Sequence, residues 1–148
     1  MQAFPHTYAV ATNAGPSGEV VLRSAGLEPL STAAPAEFEG PGDRWSPETM
    51  IVGAVANCFV LTFRAIAKAS KFQWAGLDVD VTGTLERIDK VTRFTAFTIR
   101  ATLEIPAEGS DEQARRLLTK AETTCLITRS LTASVDLQLD VRAVQAAV

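Results

Sequence analysis

The feature that most constrains the fold is an apolar run from Met50 to Phe63, which contains one of the two cysteines, Cys58. Ser46 is a favoured helix N-cap, Pro47 suits the first helical position, and the acid that follows is favourable near a helix N-terminus. The pattern predicts a helix from Pro47 to about Lys71. Because almost every face of that helix is apolar, we expect it to be buried on all sides.

The bulk properties argue against several classes of partner. The net charge is −3 and the charges are mixed along the chain, so no basic surface for nucleic acid is expected. The run from Met50 to Phe63 is too short to span a bilayer, and Arg64 and Lys68 follow it. Residues 1–20 have neither a charged start nor an apolar signal region. We therefore expect a cytoplasmic protein that binds neither nucleic acid nor membrane.

The rest of the chain predicts an α+β fold in a single domain, residues 1–148. Alternating apolar and polar residues predict strands, and an amphipathic segment with acids first and bases later predicts a second helix after Ser110. The stretch 25–46 is rich in proline and glycine and predicts a long loop. The predicted order is a hairpin of strands 6–12 and 19–24, the loop, the central helix, antiparallel strands 76–88 and 92–105, a helix over 111–124 and a strand over 132–144.

Two predicted helices are few to cover both a sheet and a helix that is apolar on every face. The simplest arrangement is a homodimer, in which the central helix packs against its symmetry mate and the sheets of both chains wrap around the pair. Composition alone leads to this expectation.

The two cysteines, Cys58 and Cys125, are the candidates for chemistry. In a chain without an export signal thiols stay reduced, so each is either a small buried hydrophobe, the commoner role, or half of a redox couple. The residues alone leave both interpretations open. One histidine, the absence of a CxxC motif and the lack of a carboxylate cluster argue against a metal site.

Glu48 and Arg44 flank the start of the central helix. Glu48 is an ordinary first-turn acid, but it precedes Cys58 by ten residues, or about 15 Å of helix. Either the helix starts later or breaks, or Glu48 meets the cysteine of a partner subunit. Arg44 is ordinarily a solvated loop residue, yet it is one of few cations near the helix start that could lower the pKa of a thiol.

The segment "SPETMIVGAVANCF" resembles the signature of the OsmC/Ohr family of thiol-dependent organic hydroperoxide reductases, in which (S/N)-P-E-E-L and a small-residue helix lead to A-x-x-A-C-F. The segment "KAETTCLITRSL" is similar to the K-A-x-x-x-C-P-x-S-x-x-L of that family. The resemblance covers nearly the whole chain. It implies an OsmC-like fold, in which antiparallel sheets wrap around long central helices in an intertwined homodimer with active sites shared between the subunits.

Carried over by residue, the resemblance implies that Cys58 is the peroxidatic thiolate and Cys125 the resolving thiol, and that Glu48 holds an arginine in place. Family members carry the activating arginine in the first hairpin turn or in the long loop. Here the turn "NAGPSG" has none, and the loop segment "PAEFEG" has Glu37 at the equivalent place. Arg44 is then the first candidate to replace it, and Arg23 the second. The second motif reads C-L-I-T in place of C-P-x-S.

The function that we expect is reduction of organic hydroperoxides to alcohols through a Cys58 sulfenate and a Cys58–Cys125 disulfide. An external dithiol, which the resemblance implies is of lipoyl type, recycles the enzyme without a cofactor. Apolar neighbours such as Phe59, Phe63 and Trp45 would favour organic substrates over hydrogen peroxide. The alternative is a non-enzymatic dimer that binds a small apolar ligand and keeps both cysteines in its core. A redox sensor is a weaker third class.

Overall fold

The computed structural model describes residues 2–144. Contacts divide the chain into two compact units, residues 1–51 and residues 52–148. The boundary falls inside the first helix.

Unit 1 contains a three-stranded antiparallel sheet. Its strands are β1 (Ala11–Asn13), β2 (Val20–Arg23) and β3 (Leu30–Thr32), in the order β1-β2-β3. The predicted first strand, 6–12, is therefore shorter and shifted, because β2 pairs with only Ala11, Thr12 and Asn13. The predicted loop 25–46 was wrong in part, since it contains β3 and a 3₁₀ turn over Ala36–Phe38.

Helix α1 spans Pro47–Ala69, which confirms the predicted start. The Ser46 hydroxyl accepts a hydrogen bond from the Thr49 N–H at 3.1 Å, and the Thr49 hydroxyl accepts one from the Ser46 N–H at 2.8 Å. This reciprocal pair satisfies helix-end groups in the manner of a capping box. The helix ends two residues earlier than predicted, because Lys71 adopts a left-handed φ of 52° and the Phe72 N–H reaches back to the Ala67 carbonyl at 2.9 Å.

Within the described residues, α1 is not buried on all sides, so that prediction was wrong for the single chain. The buried positions form one stripe at four-residue spacing, and Leu61, on another face, is 51% exposed. By length and composition, the helix as a whole is long and apolar enough to cross a membrane, whereas the expectation concerned only the run from Met50 to Phe63. Only 22% of its most apolar window is buried. The stripe comprises Val55, Phe59, Phe63 and Ala67.

Unit 2 contains a mixed three-stranded sheet in the order β4-β5-β6. Strands β4 (Gly76–Ile88) and β5 (Val91–Pro106) form the predicted antiparallel hairpin, joined by Asp89 and Lys90, both of which have positive φ as two-residue hairpin turns require. Strand β6 (Ser134–Val144) pairs with β5 in parallel, so the expectation of purely antiparallel sheets was wrong.

The parallel pairing follows from the connection between β5 and β6. Helix α2 (Asp111–Thr124) and the short helix α3 (Leu126–Arg129) lie between the two strands in sequence, and such a helical crossover is the usual way to return a chain parallel to its predecessor. Ser110 caps α2, as predicted, by accepting a hydrogen bond from the Gln113 N–H at 3.1 Å. The α+β class is confirmed.

The core of unit 2 brings together one face of the sheet, α2 and the buried stripe of α1. Every second side chain of β5 points inward, as its alternating sequence predicts, and the paired residues of β4 and β6 continue each row. The inward residues of β5 are Phe97, Ile99, Ala101, Leu103 and Ile105, and those of α2 are Ala114, Leu117, Leu118 and Ala121.

Gly83 occupies an inward position in β4, where a larger side chain does not fit. A Cβ atom there would lie 2.8 Å from Cγ2 of Val52 and 2.9 Å from a ring carbon of Phe94.

We predict that Gly83→Ala lowers the free energy of unfolding by about 1–3 kcal/mol through overpacking. Urea denaturation at a fixed protein concentration measures the free energy of unfolding. The control is Thr82→Ala, a substitution at the exposed neighbouring residue. Equal stability of the two variants would contradict the packing described.

Candidate functional site

Cys58 and Cys125 lie on different elements of unit 2 and meet at the edge of its core. Cys58 is in the middle of α1, next to the buried Phe59, and its own side chain is half-buried. Cys125 is fully buried between the end of α2 and the start of α3. The two thiols are near enough for each to displace the pKa of the other. Both are free thiols in this structure.

The backbone around Cys125 is fixed by a set of local hydrogen bonds. Its N–H donates to the Glu122 carbonyl at 3.2 Å, which ends α2. Its carbonyl accepts from the Arg129 N–H and from the Thr128 hydroxyl, both at 3.1 Å. The first N–H groups of α3, those of Leu126 and Ile127, have no partner within that helix and so are available to the sulfur atoms.

The surroundings of Cys58 favour its thiolate. Partial burial raises the pKa of the thiol, but hydrogen bonds from Cys125, from the N–H of Ile127, from the Thr62 hydroxyl and from the N–H of Leu126 lower it by more, so the net pKa lies below the usual value. Among the described residues, none of these donors carries a charge.

The surroundings of Cys125 favour its thiol. Burial raises the pKa of Cys125 most, the Thr128 N–H lowers it, Cys58 raises it, and smaller contributions from the Thr128 side chain and the Ile127 N–H lower it, so that the net pKa lies above the usual value. The two pKa values are therefore displaced in opposite directions. Of the two sulfur atoms, Cys58 is therefore the one that ionises first as the pH rises.

Glu48 lies in unit 1, at the beginning of α1. Its Oε2 atom is buried and has no hydrogen-bond partner among residues 2–144. The side chain lines a cavity of about 390 Å³ whose other walls are largely apolar. These walls include Val20, Leu22, Pro35, Phe38 and Met50. A buried carboxylate oxygen without a donor is costly, so this position is prepared for a donor or a cation.

Arg44 and Arg23, the two candidate cations, have other partners in unit 1. Arg44 forms ion pairs with Asp43 at 2.9 Å and Glu19 at 3.6 Å. Arg23 donates to the Asn13 side chain at 3.2 Å. No ion pair joins either arginine to Glu48 in the part of the chain that the structure describes. The roles predicted for Glu48 and Arg44 thus stay predictions.

The sequence did not predict the neutral donors around Cys58, and two of the aromatic residues that it placed beside the substrate lie elsewhere. Thr62, one helical turn after Cys58, could have been found from the four-residue spacing that makes helical side chains neighbours. The N–H groups of Leu126 and Ile127 carry no such signal. Phe59 and Phe63, expected to favour organic substrates, are fully buried in the core because both belong to the inward stripe of α1.

Comparisons with known proteins agree on the family and the fold. The family described as "OsmC-like protein" matches residues 40–140. The uncharacterized protein YmaD of Bacillus subtilis (strain 168) is 28% identical over 138 residues, which is 91% of this chain and 92% of YmaD.

Two solved structures illustrate the similarity of fold. An OsmC-like protein of unknown function from Vibrio cholerae superposes with a TM-score of 0.81 at 16% identity, covering 91% of this chain and 99% of that one. An organic hydroperoxide resistance protein OsmC from Legionella pneumophila superposes with a TM-score of 0.74 at 23% identity, covering 96% and 100%.

The opposite pKa displacements predict different reactivities for the two thiols. Because the thiolate is the nucleophile, Cys58 should react with iodoacetamide at a lower pH than Cys125. Mass spectrometry of the two cysteine peptides after brief alkylation, from about pH 5 to about pH 10, measures both titrations. In urea the two curves should converge. Modification of Cys125 before Cys58 in the folded protein would contradict the assignment.

Proposed function

This chain belongs to the OsmC-like protein family, and from that premise we propose that it is a thiol-dependent peroxidase that reduces organic hydroperoxides to alcohols. The observation that carries the proposal is the contact between Cys58 and Cys125, with the pKa of Cys58 lowered and that of Cys125 raised. An attacking thiol has to be ionised, and a resolving thiol has to be close to it.

The first step consumes the peroxide. The Cys58 thiolate attacks the hydroperoxide oxygen distal to the organic group, an S–O bond forms and the O–O bond breaks. Sulfur loses two electrons and becomes a sulfenic acid, while the organic oxygen leaves as an alkoxide and takes up a proton to become an alcohol.

The second step protects the oxidised sulfur. The sulfur of Cys125 attacks the sulfur of the Cys58 sulfenic acid, a disulfide forms, and the hydroxyl group leaves with the thiol proton as water. Because the two thiols are already neighbours in the reduced protein, this step requires little rearrangement. A dithiol of lipoyl type then reduces the disulfide by exchange and is itself oxidised, a cycle that suits a reducing compartment such as the cytoplasm.

We also propose a homodimer with shared active sites. Helix α1 is continuous from Pro47 to Ala69, so Glu48 and Cys58 are about 15 Å apart along it. A second copy of the chain would cover the exposed apolar face of α1 and would bring its own Cys58 toward Glu48. In that arrangement Glu48 holds an arginine, for which Arg44 is the candidate once it exchanges Glu19 and Asp43 for Glu48.

Loss of peroxidase activity on substitution of either sulfur tests the proposed chemistry. With cumene hydroperoxide and dihydrolipoamide, Cys58→Ser should consume no peroxide above background. Cys125→Ser should react about once per subunit and then turn over more slowly than the wild type, because its sulfenic acid cannot form the intramolecular disulfide and is reduced only by direct attack of the dithiol. Consumption of peroxide is measured for each variant, with hydrogen peroxide alongside as the less reactive substrate.

Retention of turnover by Cys58→Ser would sink the peroxidase proposal. If neither thiol of the folded wild type reacts with peroxide or with a thiol reagent, the alternative of a ligand-binding dimer with structural cysteines is favoured. Formation of a Cys58–Cys125 disulfide without turnover would instead indicate the redox sensor.

The proposed dimer is tested on the outward face of α1. Leu61 is 51% exposed, and a charge there should disfavour burial against a second copy. We expect Leu61→Glu to shift a wild-type dimer toward monomer in sedimentation velocity. The control is Val91→Glu, a similarly exposed position at the β4–β5 turn. A monomeric wild type would contradict the proposal.

A further inference from the structure

Thr62 directs its hydroxyl at a sulfur atom instead of at the backbone. Threonines inside helices commonly donate to the carbonyl four residues earlier, and α2 has two such cases, Thr119 to Arg115 at 2.9 Å and Thr124 to Lys120 at 2.7 Å. The hydroxyl of Thr62 instead lies 3.8 Å from Sγ of Cys58, which is also four residues earlier. The side chain is half-buried, so water competes with this contact only in part.

The N–H of Leu126 is a second neutral group that lowers the pKa of Cys58. It is the first residue of α3, so its N–H has no partner within the helix, and it is one of the donors to Cys58. The side chain of Leu126 is 66% exposed and has little role in packing. A proline at this position, as in the C-P-x-S form of the motif, would have no N–H to donate.

We propose that Thr62 is a positioning residue for the Cys58 thiolate, and that its hydroxyl, assisted by the Leu126 N–H, is a neutral donor that favours the ionised sulfur. This inference rests on the proposed function and adds to it the residues that set the reactivity of the nucleophile. Both donors lie within unit 2, on elements whose positions the core of that unit determines.

Neutral donors favour ionisation because each bonds more strongly to an ion than to a neutral thiol. A hydrogen bond of this kind changes an equilibrium by about threefold to tenfold. Among the described residues, the one titratable group that contacts Cys58 is Cys125, and its thiol also acts as a donor. The direction of the effect is therefore the same for every contact.

A hydroxyl is useful in both steps of the reaction because it can donate and accept. It donates to the Cys58 thiolate before attack. After attack, the hydroxyl oxygen of Thr62 can accept a hydrogen bond from the S–OH group of the sulfenic acid, which holds that group while Cys125 approaches. Valine has the same shape as threonine but can do neither, whereas serine keeps the hydroxyl and loses only the methyl group.

The experiment compares Thr62→Val with Thr62→Ser in the Cys125→Ser background, where Cys58 is the sole thiol. The ultraviolet absorbance of the thiolate, followed against pH, reports the pKa of Cys58 without any peroxide. We expect Thr62→Val to raise that pKa and to slow single-turnover reaction with cumene hydroperoxide at neutral pH about threefold to tenfold. Thr62→Ser should restore both values, and Thr62→Ala replaces the valine variant if that variant does not fold.

A second pair of variants isolates the backbone donor. Leu126→Pro removes the N–H, at a first helical position that suits proline and after a residue, Cys125, whose extended backbone is compatible with a following proline. Leu126→Ala is the matched control, because it also removes the leucine side chain but keeps the backbone N–H. We expect the pKa of Cys58 to be higher with proline than with alanine.

The outcomes separate this inference from the proposed function. An unchanged pKa in both Thr62→Val and Leu126→Pro would overturn the neutral-donor pair, and so would equal changes in Thr62→Val and Thr62→Ser. If the pKa changes as expected but the wild type consumes no peroxide, the donors do activate the thiol and only the peroxidase proposal fails.

Discussion

The chemistry of the site depends on which face of α1 packs into the core of unit 2. Val55, Phe59 and Phe63 follow one another at four-residue spacing and are completely buried. Their packing places Cys58 beside the buried stripe, half-exposed, where its sulfur reaches the junction of α2 and α3. Thr62 lies one turn further along the same side of the helix. The packing of Val55, Phe59 and Phe63 therefore determines the surroundings of Cys58.

The two thiols differ because their positions in the fold differ. Cys58 is half-buried beside several donors that lower its pKa, whereas Cys125 is enclosed and its pKa is raised. In the proposed reaction a hydroperoxide takes two electrons and disulfide formation draws one from each sulfur, so the buried thiol takes part although its pKa is the higher of the two. In that proposal the neighbouring sulfur favours ionisation of Cys58 before oxidation and protects it afterwards.

Sequence predicted the elements that have a strong period and missed what depends on tertiary pairing. The bounds of α2 and β4 follow from Ser110 and from regular alternation, and the structure agrees with both. Strand β3 has three residues, too few for a period, and the parallel pairing of β6 is decided by the crossover. Within the site, the two cysteines were predicted from a sequence motif. The donors were not, because one is a backbone N–H, which every residue but proline has, and the other is a threonine whose side-chain rotamer cannot be read from the sequence.

Glu48 and Cys58 differ in whether the described residues of one chain supply their hydrogen-bond donors. The groups that lower the pKa of Cys58 all lie within residues 52–144. The buried Oε2 of Glu48 has no donor within residues 2–144, and desolvation of an unpaired carboxylate is unfavourable enough to demand one. The apolar walls of its cavity supply no donor of their own from a side chain other than Thr32, whose hydroxyl already donates to the Val20 carbonyl. The Glu48 oxygen is therefore a buried acceptor that lacks a donor among residues 2–144, whereas the sulfur of Cys58 has donors within unit 2.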